Sequence, residues 1–449
     1  MALSSLLSRR RAVLSVLGVA LALFTACNGA EKKEEGGKSE APKAADTILL
    51  GEYGSMTGAE ATFGTGTHEG IMLALEEINA KGGINGKKVE VKLYDTQGKS
   101  QEAGTAVTRL ITDDHVVAIL GEVASSLSIA GGYVAQQNGV PMVSPASTNP
   151  QVTQIGDMIF RVCFIDPFQG YVMATFAKDN LQSKKVAVLY DQASAYSKGL
   201  KDDFVKAFTE GGGTITGEAA YTAGDQDYSA QLTAIRDAAP DAIFIPGYYT
   251  DVGNIAIQVK KLGINAKLLG GDGWDSPKLA EIGGAAIEGG YYSNHYTVED
   301  TRPEVAEFVA KYRAAYKRDP DSMGALGYDA ARLLVDAITR AGSTDGKAIA
   351  KALAETKDFK GVTGLISIDA ARNAQKSAVV LEMKAGKPTF VTSINPPGVV
   401  QAPVATPPVE GAPAGGATIP PAPGNVEPGK PVPAGNAVGQ PGSAAPAGH

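Results

Sequence analysis

The chain has 449 residues, 44% of them hydrophobic, and a formal net charge of -7, with only two cysteines and four histidines. The folded portion, roughly 350 residues, means two lobes by the usual ~100 to 200 residues per domain, and an acidic balance without long like-charge blocks offers no footprint for nucleic acid. So few sulfur and imidazole groups, with no His/Cys/Asp/Glu cluster at ligand spacing, also argue against a metal centre.

The chain begins "MALSSLLSRRRAVLSVLGVALALFTAC", in which Arg9, Arg10 and Arg11 form a basic region and Ala12 to Ala26 an apolar stretch ending in small residues at Cys27. That stretch is shorter than the ~20 residues needed to cross a bilayer, so residues 1–26 are predicted to be a secretory signal peptide rather than a retained span. The cysteine at its end resembles the lipidation site of bacterial lipoprotein signals, which implies that Cys27 carries lipid and anchors the protein at a membrane. Cys163, the other cysteine, then has no disulfide partner even in an oxidising compartment. Residues 27–46 are polar, with too few apolar groups to offset ordering entropy, and are predicted to be a flexible tether.

From Thr47 the composition becomes globular. Apolar β-branched runs, "TILLGEY", "KVEVKLYD", "VVAILGEV", "PMVSPA", "KVAVLYD", "DAIFIPGYY" and "KLLGGDG", read as buried parallel strands. Between them "GIMLALEEINAKGG", "EAGTAVTRLITDD", "YSKGLKDDFVKAFTEGGG" and "TDVGNIAIQVKKLG" place apolar residues at helical spacing, three of them ending near glycine. Repeated βαβ units predict parallel sheets covered by helices on both faces, one sheet per lobe. Residues 396–449 hold more than half of the 25 prolines and no aromatic residue, which predicts a disordered, partly polyproline tail.

In such sheets ligands bind beyond the carboxyl ends of the strands. There "GEVASSLSIAGG" places Ser125 and Ser126 at a strand-to-helix junction, as helix caps or as anion ligands. The next strand ends in "SPASTNP", again rich in hydroxyls. Two adjacent ends of this kind would form a carboxylate-binding cup. A serine hydrolase would need His68, His115, His295 or His449 at the serine, and the motif is not a G-x-S-x-G elbow. There is no G-x-x-x-x-G-K-[ST], so any ATP-driven step belongs to a partner.

From Thr47 to Ile394 the sequence resembles the branched-chain amino-acid-binding proteins of bacterial ABC transporters. The stretches that carry the likeness are "MTGAEATFG", "INAKGGINGKKVEVKLYDTQ", "GEVASSLS", "GVPMVSPASTNPQVT", "LYDQASAYSKGL", "AIFIPGYYTDVG", "GGDGWDSPKL" and "GYDAARLL". The resemblance implies a type I periplasmic binding protein, two Rossmann-like doubly wound α/β lobes joined by a hinge. By family topology the chain crosses near Ile165, Tyr296 and Val362. The first lobe is then 47–165 with 297–362, and the second 166–296 with 363–395.

Residue by residue, the resemblance implies that Ser125, Thr148 and the backbone around Ala146 grip a ligand carboxylate, while Asp272, beside Tyr248, meets its ammonium. Phe63, Tyr196 and Met323 would wall the side chain, with Glu122, Asp191 and Trp274 nearby. The family's cysteine pair near this site is replaced by Gly98 and Ala124. Asp272 in "GGDG" also reads as a turn residue, and Tyr248 and Phe63 as plain core. The implied function is capture of an amino acid, branched-chain by first choice, by hinge closure and its delivery to permease subunits, with no catalysis and no cofactor. A sensor module, or a binder of a short amide or urea, shares the fold.

Overall fold

The computed structural model describes residues 47–396. The predicted signal peptide, the tether with Cys27 and the tail from residue 397 lie outside the described residues. Among the described residues no helix is long and apolar enough to cross a membrane.

The first half of the chain runs Thr47–Gly54 (β1), Ala61–Ala80 (α1), Lys88–Asp95 (β2), Ser100–Thr112 (α2), Ile119–Leu120 (β3), Ser125–Gln137 (α3), Met142–Ser144 (β4), Gln151–Gln154 (α4) and Ile159–Arg161 (β5). It continues through Asp166–Asp179 (α5), Lys185–Asp191 (β6), Ala195–Glu210 (α6), Thr214–Tyr221 (β7), Ser229–Asp237 (α7), Ala242–Phe244 (β8), Tyr249–Lys261 (α8), Lys267–Gly270 (β9), Pro277–Gly283 (α9) and Tyr291–Asn294 (β10). The remainder is Pro303–Tyr316 (α10), Ser322–Ala341 (α11), Gly346–Ala354 (α12), Phe359–Gly361 (β11), Gly364–Ile368 (β12), Ala374–Gln375 (β13), Ala378–Lys384 (β14) and Lys387–Ile394 (β15).

The first five strands form one sheet in the order β2-β1-β3-β4-β5, and β7-β6-β8-β9-β10 repeat that order in a second sheet. The pairs β3–β4 and β4–β5, like β6–β8, β8–β9 and β9–β10, are parallel. The doubly wound pattern expected from the alternating runs is therefore present twice, each copy with a point where the strand order reverses. Two features extend it. β14 and β15 add an antiparallel pair to the edge of the second sheet, and β11, β12 and β13 form a small antiparallel sheet.

That small sheet corrects the expected third crossing near Val362. The backbone N–H of Ile368 bonds to Thr356, the carbonyl of Arg372 accepts from Arg161, and Asn373 meets Thr153. These bonds hold residues 364–375 on the elements of the first sheet, so the chain leaves them at Lys376–Ser377 and enters β14.

Helix starts follow their local chemistry. Ser194, Ser276, Asp321 and Asp345 each accept a backbone N–H of the first turn of α6, α9, α11 and α12, which satisfies one of the donors a helix start leaves open. The long helices α1 and α11 pack backbone against backbone. A Cβ at Gly70 would strike the carbonyl of Gly324, and one at Gly327 the carbonyl of Thr67. Main chain cannot yield as a flexible side chain does, so Gly70→Ala is expected to cost ~1 to 3 kcal/mol, read as a lowered midpoint in denaturant unfolding.

Candidate functional site

The carboxyl ends of both sheets meet around a narrow cavity lined by Phe63, Val123, Ser125, Ala146, Tyr196, Tyr248, Asp272, Gly273 and Met323. Wider hollows exist on the surface, around Pro240 and Lys267 and around Met158 and Lys351, but neither draws on the loops where the two sheets' strand ends converge. Seven of the eight residues expected from the sequence line the cavity. Thr148, the eighth, is buried beside it with its hydroxyl unpartnered.

The serines of "VASSLS" divide into three roles, and none is a cap: Ala124 occupies the cap position of α3 with no side-chain bond. Ser125 Oγ accepts the N–H of Asn149 at 3.3 Å, which leaves its own proton free to donate into the cavity. Ser126 Oγ accepts the N–H of Ala195, at the start of α6 in the second lobe. Ser128 Oγ braces the loop by donating to the carbonyl of Glu122 and accepting from Ser147. Glu122, buried nearby, accepts from Ser55, Thr96 and the N–H of Ala124; burial pushes its carboxyl up from the ordinary value.

Asp272 follows β9 and opens a short turn of 3-10 helix, yet its side chain is not used in that turn. Oδ1 accepts from Gln169 Nε2 at 2.7 Å and Tyr196 OH at 3.0 Å, and Oδ2 faces His295 Nε2 at 2.9 Å. An ionised carboxylate only accepts, so His295 carries its proton on Nε2. Burial lowers the imidazole's pKa below its ordinary value, and the neutral ring stacks on Phe164 with centroids 3.9 Å apart. Three donors from three elements thus fix one carboxylate, and Oδ2 with a single donor keeps acceptor capacity for a cation.

The sequence singled out Asp272 and Tyr196 but not Gln169, and considered His295 only as a hydrolase base. Gln169 lies 103 residues from its partner, and no local pattern marks such a pairing. Among the other histidines, His68 pairs with Glu52 at 2.8 Å. Trp274 is core, donating to the carbonyl of Ile245. Tyr196 and Tyr248 stack parallel with centroids 5.2 Å apart, and Phe63 meets Tyr248 and Tyr249 edge-on. Phe63 and Tyr248 are thus at once core and cavity wall.

Across the cleft, Asn149 Nδ2 donates to the carbonyl of Ala195, Thr62 Oγ1 bonds Ser276 Oγ, and Thr250 Oγ1 donates to the carbonyl of Ala59. With the Ser126 contact they hold the two lobes together over the cavity.

Asp166, at the start of α5, is fully buried, and neither carboxylate oxygen has a hydrogen bond. It faces the Thr148 hydroxyl and senses Asp272, Arg161 and Asp203; burial, the largest influence, holds its pKa well above the ordinary value. A carboxyl raised in the folded state binds a proton that the unfolded chain releases. Its contribution is present in acid and fades as pH climbs from the ordinary ~3.9 through the raised value. Asp166→Asn is therefore expected to flatten the fall in melting temperature between pH 5 and pH 8, as followed by scanning calorimetry.

The family described as periplasmic binding protein matches residues 47–399. Leu/Ile/Val-binding protein homolog 3 of Brucella melitensis is 33% identical over 71% of this chain and 86% of its own. Among solved structures, the leucine-binding protein LivK of Thermotoga maritima is 44% identical, covers 78% of this chain and 99% of its own, and superposes with a TM-score of 0.76. The branched-chain amino acid transporter substrate-binding protein LivJ of Streptococcus pneumoniae, solved with isoleucine, is 34% identical, with 78% and 100% coverage and a TM-score of 0.74. A solute-binding protein of Rhodopseudomonas palustris, solved with 3,4-dihydroxybenzoic acid, is 26% identical, with 78% and 98% coverage and a TM-score of 0.71. The chain belongs to the periplasmic binding proteins, and within them to the branched-chain amino-acid-binding proteins of bacterial ABC transporters, a family of solute binders and not of enzymes.

Proposed function

We propose that this protein is an extracytoplasmic lipoprotein, anchored through Cys27, that captures an aliphatic L-amino acid of the leucine, isoleucine and valine class between its lobes and hands it to membrane permease subunits. The observation that carries the reading is the pairing of unlike ends in one small cavity. Ser125 and the backbone of Ala146, with Thr148 buried beside them, offer neutral donors on the first-sheet side, and Asp272 offers a fixed carboxylate on the other. A zwitterion needs that division, because desolvating either end without a partner costs several kcal/mol. An aromatic acid, such as the 3,4-dihydroxybenzoic acid of the R. palustris relative, has no ammonium and would offer Asp272 neutral phenol donors in place of a cation. Phe63, Val123, Tyr248 and Met323 supply an apolar wall for an aliphatic side chain. Apolar pockets separate one methylene by only ~1 to 3 kcal/mol, so leucine, isoleucine and valine should all bind.

Binding follows hinge closure: the cup on the first lobe takes the carboxylate, and the second lobe brings Asp272, Tyr196 and Tyr248 over the ammonium and side chain. Two experiments test the reading. Protein unfolded and refolded to remove co-purified ligand is screened by thermal shift against L-amino acids, short amides, urea and benzoates. Leucine, isoleucine or valine at ~100 times its dissociation constant should add roughly 2.7 kcal/mol. Ser125→Ala and Asp272→Asn should each weaken that binding at least ~10-fold, about 1.4 kcal/mol. Stabilisation by benzoates alone would overturn the amino-acid assignment. Separately, Cys27→Ser should move the protein from the membrane to the soluble fraction of expressing cells; unchanged membrane association would remove the lipid anchor.

A further inference from the structure

Arg161, the last residue of β5, is fully buried, and among the described residues no carboxylate lies within ion-pair distance of it. Its guanidinium donates instead to the carbonyl of Ser147, to the carbonyl of Asn149 at 2.8 Å and to Thr153 Oγ1 at 3.3 Å. The carbonyl between those two, that of Thr148, accepts the N–H of Asp166 at 3.0 Å. Three successive peptide oxygens of the cup loop are therefore turned toward β5 and α5. The same loop sends the N–H of Asn149 to Ser125 Oγ and keeps the Thr148 hydroxyl unpartnered.

Oxygen dipoles pointing into the cup would repel a carboxylate, and the cup's own donors are neutral. A buried cation is costly without charge compensation. The carboxyl that acts most strongly on it, that of Asp166, is itself disfavoured as an anion by burial. A ligand carboxylate in the cup would lie on the other side of the loop that Arg161 grips.

We infer that Arg161 is a positioning residue for the ligand carboxylate: it holds the carbonyls of Ser147 and Asn149 out of the cup and supplies, from behind the loop, the positive charge that Ser125 and Thr148 lack. The inference rests on the amino-acid reading above. It separates electrostatic support of the carboxylate from general support of the fold, because only the first depends on the ligand's negative charge.

The test compares L-leucine with L-leucinamide, which keeps the ammonium and side chain but has no carboxylate, at pH 6, where both amines are protonated. Binding to the full chain and to its Arg161→Met and Arg161→Lys variants is measured by thermal-shift titration. Arg161→Met should weaken leucine at least tenfold and leucinamide less than threefold, collapsing the preference between them. Arg161→Lys keeps the charge but not the planar fork that spans two carbonyls. It should retain part of the preference, and this comparison stands if the methionine variant does not fold. Equal losses for both ligands, or no loss for either, in a folded variant would overturn the inference and leave Arg161 a structural residue. Wild-type protein that binds no amino acid would instead overturn the reading on which the inference depends.

Discussion

A carboxylate carried into a dry cleft must be hydrogen-bonded or it will not stay charged, and much of the site follows from meeting that demand at Asp272. Gln169 reaches it from α5, Tyr196 from α6 and His295 from the end of β10. Those three segments must therefore converge at the carboxyl edge of the second sheet. The neutrality of His295 belongs to the same arrangement, since burial disfavours an imidazolium there. Tyr196 in turn accepts the N–H of Gly273 and stacks on Tyr248, so the residues that hold the acid also shape the cavity wall.

The first lobe solves the opposite problem. On the proposed reading a carboxylate there needs donors and no competing acceptors: Ser125 stands at the start of α3, and the loop after β4 keeps the Thr148 hydroxyl unpartnered while its carbonyls turn to Arg161 and Asp166. The side chain of Ser144 likewise donates to the carbonyl of Glu122, which removes another acceptor from the strand end. A loop so rich in hydroxyls is needed because a strand end this short has more open backbone groups than neighbouring strands can satisfy.

What the sequence made legible was whatever repeats locally. The buried strands and amphipathic helices carry their periods, and the hydroxyl clusters after β3 and β4 stand out because nothing in a strand requires them. Thr148 was placed at the cup from its motif and lies just behind the cavity wall. Gln169, His295 and Arg161 could not be ranked, since their importance comes from partners on other elements. The β14–β15 hairpin shows the same limit at the level of fold. Its two-residue turn, Ala385-Gly386, has both residues at positive φ, a conformation usually signalled by Asn-Gly. Here the carboxylate of Glu288 accepts both turn N–H groups, at 2.8 and 2.6 Å. A contact 97 residues distant thus supports what the local sequence disfavours.

The contacts between the lobes bear on how such a protein responds to ligand. Direct hydrogen bonds across the cleft are few, and several involve partly exposed groups: Ser126 with Ala195, Asn149 with Ala195, Thr62 with Ser276 and Tyr249, and Thr250 with Ala59. Each contributes a net ~0.5 to 1.5 kcal/mol at most, because water competes for the same groups when the cleft opens, and ordering the side chains offsets part of that. The T-shaped contacts of Phe63 add a comparable amount. Contributions this small would leave open and closed arrangements of the proposed hinge close in free energy. On the proposed reading, a ligand that touches both lobes, with a cation for Asp272 and an anion for the cup, then decides between them.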